Sequence, residues 1–482
     1  MRRWNIGRDT AAAALLCSAL VFPWNLYFGI AITDSSAPVF AAVALATLLS
    51  LSSIGATYAG PRRMFGEHFD PLLVRRLRLG LNVPYLLLVF GFVAFDVVQT
   101  VRYGGSARPP GGVGPGAWLG VAGALLAAQP VITDTATDDR RFGRWLLSTR
   151  ILGYASIVGA GLSVLFNLYW RIRYALPSPN AATGFGRQLV AIITTALVYG
   201  VVAWITVFAA SRWLLQRGKP AQIATVMLGE STLIAGLLVW GLPIGRDIDG
   251  FHGIAQNTST AGVGFEGYLG WVAAAAIFVA PTLNSFLTAP RSIDDGAWLA
   301  ATRKILLLIV IWCLGSVLMR ITDLAVATSL DLPYSPYDSA AMAAFDLVTA
   351  VIAVWLRINL ANRSLPLVAI WSMCAVLFGF TLSRIVVGIG LAPRFADSQR
   401  AGALANPVYG NNLAQQITST FDVVLCGLAL GSLAAATVVA TKSGVVKAIS
   451  PLPRIFRLEG ATQRPKIYRP ADDSAQHGRH EA

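Results

Sequence analysis

Residues 112–132 read GVGPGAWLGVAGALLAAQPVI, and residues 262–283 read GVGFEGYLGWVAAAAIFVAPTL. Gly112, Gly114 and Gly120 of the first stretch return as Gly262, Gly264 and Gly270 of the second. Gly116 returns one place late as Gly267, and Pro130 returns as Pro281. Internal similarity at a long period is the mark of a chain built by duplication, and it constrains the fold before any element is assigned. After its glycines each copy is apolar and uncharged. A run of this kind, near 20 residues long, is what a helix needs to cross about 30 Å of hydrocarbon.

The rest of the chain has the same character. Of 482 residues 55% are hydrophobic and 13% charged, with a mean hydropathy of +0.61; a water-soluble domain carries about 25% charged residues. Apolar runs fall at residues 10–32, 37–59, 79–101, 117–132, 147–169, 189–210, 223–242, 268–287, 305–324, 340–356, 365–389 and 413–440. The fold class is therefore all-α: a polytopic membrane protein of about twelve transmembrane helices. The first run follows Arg2 and Arg3 as a signal peptide would, but it is long, contains Pro23-Trp24-Asn25 and leads directly into a second run, so it reads as a retained helix.

The formal charge of +14 does not point to nucleic acid, because the basic residues gather between alternate runs. With a cytoplasmic N-terminus, most of the 38 Lys and Arg residues fall on the cytoplasmic side. Arg62, Arg63, Arg75, Arg76 and Arg78 form one such group, and Arg140, Arg141, Arg144 and Arg150 another. That bias places both termini in the cytoplasm, and the excess of Arg over Lys with abundant Ala and Gly suggests a bacterial host, hence an expected location in the plasma (inner) membrane.

Shorter matches extend the duplication. Asn25-Leu26-Tyr27 corresponds to Asn167-Leu168-Tyr169, with Arg8 set against Arg150. Asp138-Asp139, Trp145 and Arg150 correspond to Asp294-Asp295, Trp298 and Arg303, which sets Arg320 against Asn167. Phe90-Gly91-Phe92 corresponds to Phe378-Gly379-Phe380, which sets Asp96 against Arg384. Three parallel repeats of four helices fit these matches: residues 1–137, 138–293 and 294–441. Repeats with an even number of crossings share one orientation about an axis along the membrane normal. Residues 442–482 are polar, proline-rich and basic, and read as a flexible cytoplasmic tail resting on anionic lipid or docking a partner.

Ionisable groups in hydrocarbon are expensive, and mark either a pathway or a pair that ties helices together. Asp96, Arg320, Asp323, Asp346, Arg384 and Asp422 lie within runs, each toward the outer end, and Asn25 and Asn167 lie at a comparable depth. Glu230 sits nearer the cytoplasmic end of its run. If the repeats surround a common axis, these nine residues line an outward-facing polar vestibule, a substrate or ion pathway. The competing reading is a set of interhelical salt bridges, with Arg320 and Asp323 spaced to pair along one helix face. Asp294-Asp295 and Asp138-Asp139 read as caps on the helices that follow them. No zinc-binding, nucleophile-elbow or Cys–His pattern occurs, so no catalytic residue, cofactor or metal is assigned. Cys17, Cys313, Cys374 and Cys426 all fall inside apolar runs, as small buried residues.

The segments VFPWNLYFGIAI, PRRMF and FGFVAFDVVQT (residues 21–32, 61–65 and 90–100) resemble an uncharacterised, mycobacterial-type family of actinobacterial multi-pass membrane proteins. The resemblance implies a cell-envelope setting and carries no functional residue. Two functions are consistent with the sequence: a transporter-like protein handling a solute or lipid-envelope precursor, and a non-transporting scaffold or accessory subunit of an envelope complex. The lipid bilayer is the expected partner in both, with a protein partner at the tail or outer loops in the second.

Overall fold

Hydrocarbon offers the backbone no hydrogen-bond partner, so apolar runs of this length are expected to fold as helices. The structure, a computed structural model of the chain, describes residues 2–22, 24, 37–58, 71–103, 115–131, 143–175, 186–241, 265–330, 336–362, 365–391 and 420–443. These residues form thirteen α-helices and one 3₁₀ turn. The first group is α1 (Arg2–Ser18), α2 (Ala37–Tyr58), α3 (Pro71–Tyr103) and α4 (Pro115–Ala128). The middle group is α5 (Gly143–Ala175), α6 (Arg187–Leu215), α7 (Lys219–Gly241), α8 (Phe265–Phe278) and α9 (Ala280–Thr288). After the 3₁₀ turn Pro290–Ser292 come α10 (Asp295–Ser329), α11 (Pro336–Asn362), α12 (Leu367–Leu391) and α13 (Thr420–Lys442).

Nine of the described helices are long and apolar enough to cross a membrane, or ten crossings if α8 and α9 together make one. The expected spans that differ are the first, fourth and eighth, and the fourth and eighth have proline where they stop. Helix α1 ends at Ser18, ahead of Pro23, and begins far enough upstream to take Arg8 and Asp9 into the helix. Helix α4 has 14 residues and stops just before Pro130; at 1.5 Å per residue that is about 21 Å, short of a full crossing. Near Pro281 the eighth span breaks, and α9 leaves α8 at 82°. Proline removes a backbone donor and crowds the preceding turn, so an apolar run containing it keeps its hydropathy while losing its straightness.

Each group closes on itself: α1 packs on α4, α5 on α8, and α10 on α13. Contacts between α4 and α8 join the first group to the middle one, and contacts of α6 with α10 and α7 with α13 join the middle group to the last. Helices α7 and α10 lie centrally, with 67% and 61% of their spans buried, whereas α3 is peripheral at 22%. The shared core holds Trp312 against Phe421 in an edge-on contact, with Ile223 and Leu228 of α7. Outward-facing Leu87, Phe90, Leu162 and Leu165 are exposed, as a lipid-facing surface requires.

Several polar ties gather the helix ends on one face. Lys304 Nζ donates to Gln216 Oε1 at 2.6 Å, and Lys442 Nζ donates to Asp295 Oδ1 at 2.5 Å and to the Ile293 carbonyl at 2.9 Å. The Asp294 carboxylate accepts from the Ala297 N–H at 3.2 Å, capping α10 as its position implied. Asp138-Asp139, the glycines at 112–114 and 262–264, and the tail beyond Ser443 lie outside the described residues.

Candidate functional site

Four helices bring Arg320, Asp346, Arg384 and Asp422 together inside the last group. Arg384 of α12 answers two carboxylates: its Nη1 is 2.6 Å from Asp422 Oδ1 of α13, and its Nε pairs with Asp346 Oδ1 of α11. Ser316 of α10 donates to Asp346 Oδ2 at 2.7 Å and accepts from Arg384 Nη2 at 3.2 Å. Trp312, one turn away on α10, donates its indole N–H to Asp422 Oδ1 at 2.7 Å. Asp422 lies in the first turn of α13, where the helix N-terminus favours negative charge. Arg320 Nε stands 3.6 Å from Asp346 Oδ2. The four ionic side chains are at most 5% exposed. A planar, always-charged guanidinium suits this position because its fork meets several acceptors at once.

Asp323 is also buried, but it makes no hydrogen bond to Arg320. The Tyr199 hydroxyl of α6 donates to Asp323 Oδ1 at 2.5 Å, so the expected i, i+3 pairing along α10 is replaced by a tie to a neighbouring helix. Asp323 Oδ2 and the Nη2 of Arg320 have no hydrogen-bond partner. Asn25 lies outside the described residues; the helices carrying Asp96 and Asn167 are described, but those two side chains are not.

A second polar cluster had no place in the sequence reading. Arg8 and Arg78 both hold Asp9: Arg8 Nη2 is 2.8 Å from Asp9 Oδ1 and Arg78 Nη2 is 2.6 Å from the same oxygen. Tyr58 donates to Asp9 Oδ2 at 2.9 Å. The remaining guanidinium donors reach the end of α4, Arg78 Nε to the Ala127 carbonyl at 2.7 Å and Arg8 Nη1 to the Pro130 carbonyl at 2.8 Å. Positive charge at a helix C-terminus satisfies both the open carbonyls and the macrodipole, so this cluster makes a helix end tolerable inside the bundle. Gln129 beyond α4 donates to the Ile277 carbonyl at 2.9 Å, meeting the C-terminal end of α8. The signal in the sequence is a stripe, Arg78, Asn82, Tyr85 and Val89, at helical spacing. All four are buried, whereas Arg75 and Arg76 are exposed.

Beside this cluster lies a groove of about 860 Å³ between α1, α4, α7, α8 and α9. Its wall is largely alanine, glycine, leucine and isoleucine; its charged lining residues are Arg8 and Glu230, and Trp4 also lines it. A smaller apolar groove of about 350 Å³ lies between α3, α4, α5 and α8, lined by Phe90, Trp118 and Trp271 among others. Neither groove is lined by Asp346, Arg384 or Asp422. Among the described residues no cluster of His, Cys, Asp and Glu forms a metal-binding group.

Long apolar helices, apolar side chains facing outward and charges paired inside define a multi-pass helical membrane protein. Comparison with known proteins places it within a family. The profile described as "Domain of unknown function (DUF7937)" matches residues 5–441, and the chain belongs to that family. No curated protein and no solved structure matched.

Proposed function

We propose that this protein is transporter-like and holds an amphiphilic, lipid-like molecule, such as a lipid-envelope precursor, in the groove between α1, α4, α7, α8 and α9. The observation that carries this reading is the groove itself. It has the volume of a small-molecule site, an apolar wall and few polar groups. It also sits where α4 stops short and α8 breaks, and interrupted helices at membrane depth mark binding sites in transporters. Three repeats, twelve crossings, cytoplasmic termini and a bacterial plasma-membrane location complete the proposal. Their support is the recurring glycine stretch, the first-to-fourth closure of each group and the distribution of basic residues. In this reading Asp346, Arg384 and Asp422 fasten helices, and an outward vestibule through them is the weaker alternative, because each is enclosed and paired.

Gly7 lines the groove, and a Cβ there meets no atom within 4 Å. Gly7→Trp therefore fills the groove without displacing backbone. Photolabelling of the purified protein with a diazirine-bearing lipid should mark α1 and α7 peptides in the wild type and fall about tenfold in Gly7→Trp. Gly379→Trp, equally open but on α12, should leave labelling unchanged. Equal labelling of α1 and α7 peptides in wild type and Gly7→Trp rejects the proposal.

The pairing of Asp346, Arg384 and Asp422 with one another favours a second reading, a scaffold within an envelope complex. That reading expects a partner protein to copurify with the intact chain and to be lost when residues 444–482 are removed.

A further inference from the structure

Resting on the groove reading above, we propose that the groove selects amphiphiles bearing a positively charged ammonium group, and that Glu230 recognises it. Glu230 lies near the middle of α7, part-buried, and lines the groove. It has no hydrogen bond or ion pair with any described residue. A carboxylate at membrane depth is costly to keep without a counter-charge, and the described fold supplies none.

Arg8, the other charged residue of the lining, is already committed. Its Nε and Nη2 donate to Asp9, its Nη1 donates to the Pro130 carbonyl, and its side chain is enclosed. It neither neutralises Glu230 nor offers an anion a free guanidinium face. The groove thus presents one unpartnered ionisable group, and that group is a carboxyl.

The packing beside Glu230 fixes the rotation of its helix. At the adjacent Gly229, a Cβ would come within 2.3 Å of the Ala276 Cβ of α8. Helices α7 and α8 therefore meet backbone to backbone at that level, and α7 is held in one rotation. Trp4 supplies a second unfilled group. It is 9% exposed, lines the same groove, and its indole N–H has no partner. A tryptophan face and a carboxylate lining one apolar groove are two groups that each attract an ammonium, and the free indole N–H offers a donor to a neighbouring ligand oxygen.

The test uses the full chain in neutral maltoside micelles and three photoreactive probes with the same alkyl chain, ending in a trimethylammonium, a hydroxyl or a sulfate. The ammonium probe should label α1 and α7 peptides about tenfold more than the sulfate probe. Glu230→Gln should abolish that preference while leaving the hydroxyl probe's labelling unchanged, and Glu230→Asp should retain part of it. Unchanged melting temperatures and elution profiles establish that the variants are folded. Competition by a single-chain alkylammonium or by a two-chain ammonium lipid supports the shared chemistry, and the stronger competitor identifies the source. Equal labelling by all three probes, or a preference that survives Glu230→Gln, overturns the role of Glu230 and leaves the amphiphile groove standing. No labelling of the groove by any probe overturns both.

Discussion

Arg384 stands between Asp346 and Asp422 with Ser316 and Trp312 completing their hydrogen bonds. Removing one member of such a buried set leaves the others charged and unpaired, which is far worse than replacing the whole set with apolar side chains. Arg384→Met should therefore lower stability by about 3–5 kcal/mol, read as a fall in melting temperature in detergent. Arg384→Lys should recover little, since one ammonium cannot reproduce the guanidinium fork. The triple variant Arg384→Met, Asp346→Leu, Asp422→Leu should melt above the single one, and a single variant that melts like the wild type removes the network from any structural role. Asp346, Arg384 and Asp422 were legible in the sequence because a charge inside an apolar run is conspicuous. Arg8, Asp9 and Arg78 were not. They sit among other charges at the run ends, where the same residue types ordinarily face water, and the stripe of Arg78, Asn82, Tyr85 and Val89 separates the buried arginine from exposed Arg75 and Arg76.

The recurring glycine stretch becomes an element whose small residues admit neighbours. Gly120 of α4 receives the Tyr85 side chain of α3, and a Cβ at that position would lie 2.1 Å from the Tyr85 hydroxyl. Tyr85 is fully buried, so it has nowhere near to move. Gly120→Ala should destabilise the protein by about 1–3 kcal/mol, and the same substitution should cost less in a Tyr85→Ala background. Melting of the two single variants and the double variant gives the coupling directly; simple additivity would mean that the contact does not set the packing of α3 on α4. The glycines were visible in the sequence, as was the helical character of each run. The breaks were not, because hydropathy runs smoothly through Val279, Ala280 and Pro281 while the backbone turns by 82°. Pro130 and Pro281 were matched as repeat equivalents, and both mark ends of apolar helices. A single composition profile reports how apolar a segment is and nothing of the direction it takes.

At the scale of the molecule, the bend between α8 and α9 decides the topology of everything after it. As one broken crossing it leaves Pro290–Ser292 on the face where α7 begins; as a re-entrant loop it returns to the opposite face and inverts α10 through α13. The side-chain contacts favour the crossing. Gly229, midway along α7, abuts Ala276 of α8, and Thr282 of α9 bonds to Gln222, close to the start of α7. The segment thus runs antiparallel to α7 to its first turn, where Lys304–Gln216 and Lys442–Asp295 also lie. Cysteine labelling tests this in membrane vesicles. Cys313, Cys374 and Cys426 are buried, so Cys17→Ala alone removes the exposed native thiol. Single cysteines at Arg217, Arg291 and Ser443 should react with a membrane-impermeant maleimide in inside-out vesicles and be protected in right-side-out ones. Cysteines at Gly186 and Leu330 should show the reverse. If 291 and 443 label with 186 while 330 labels with 217, the α8–α9 pair is re-entrant. The last group is then inverted relative to the middle one, and the shared orientation required of three parallel repeats is lost.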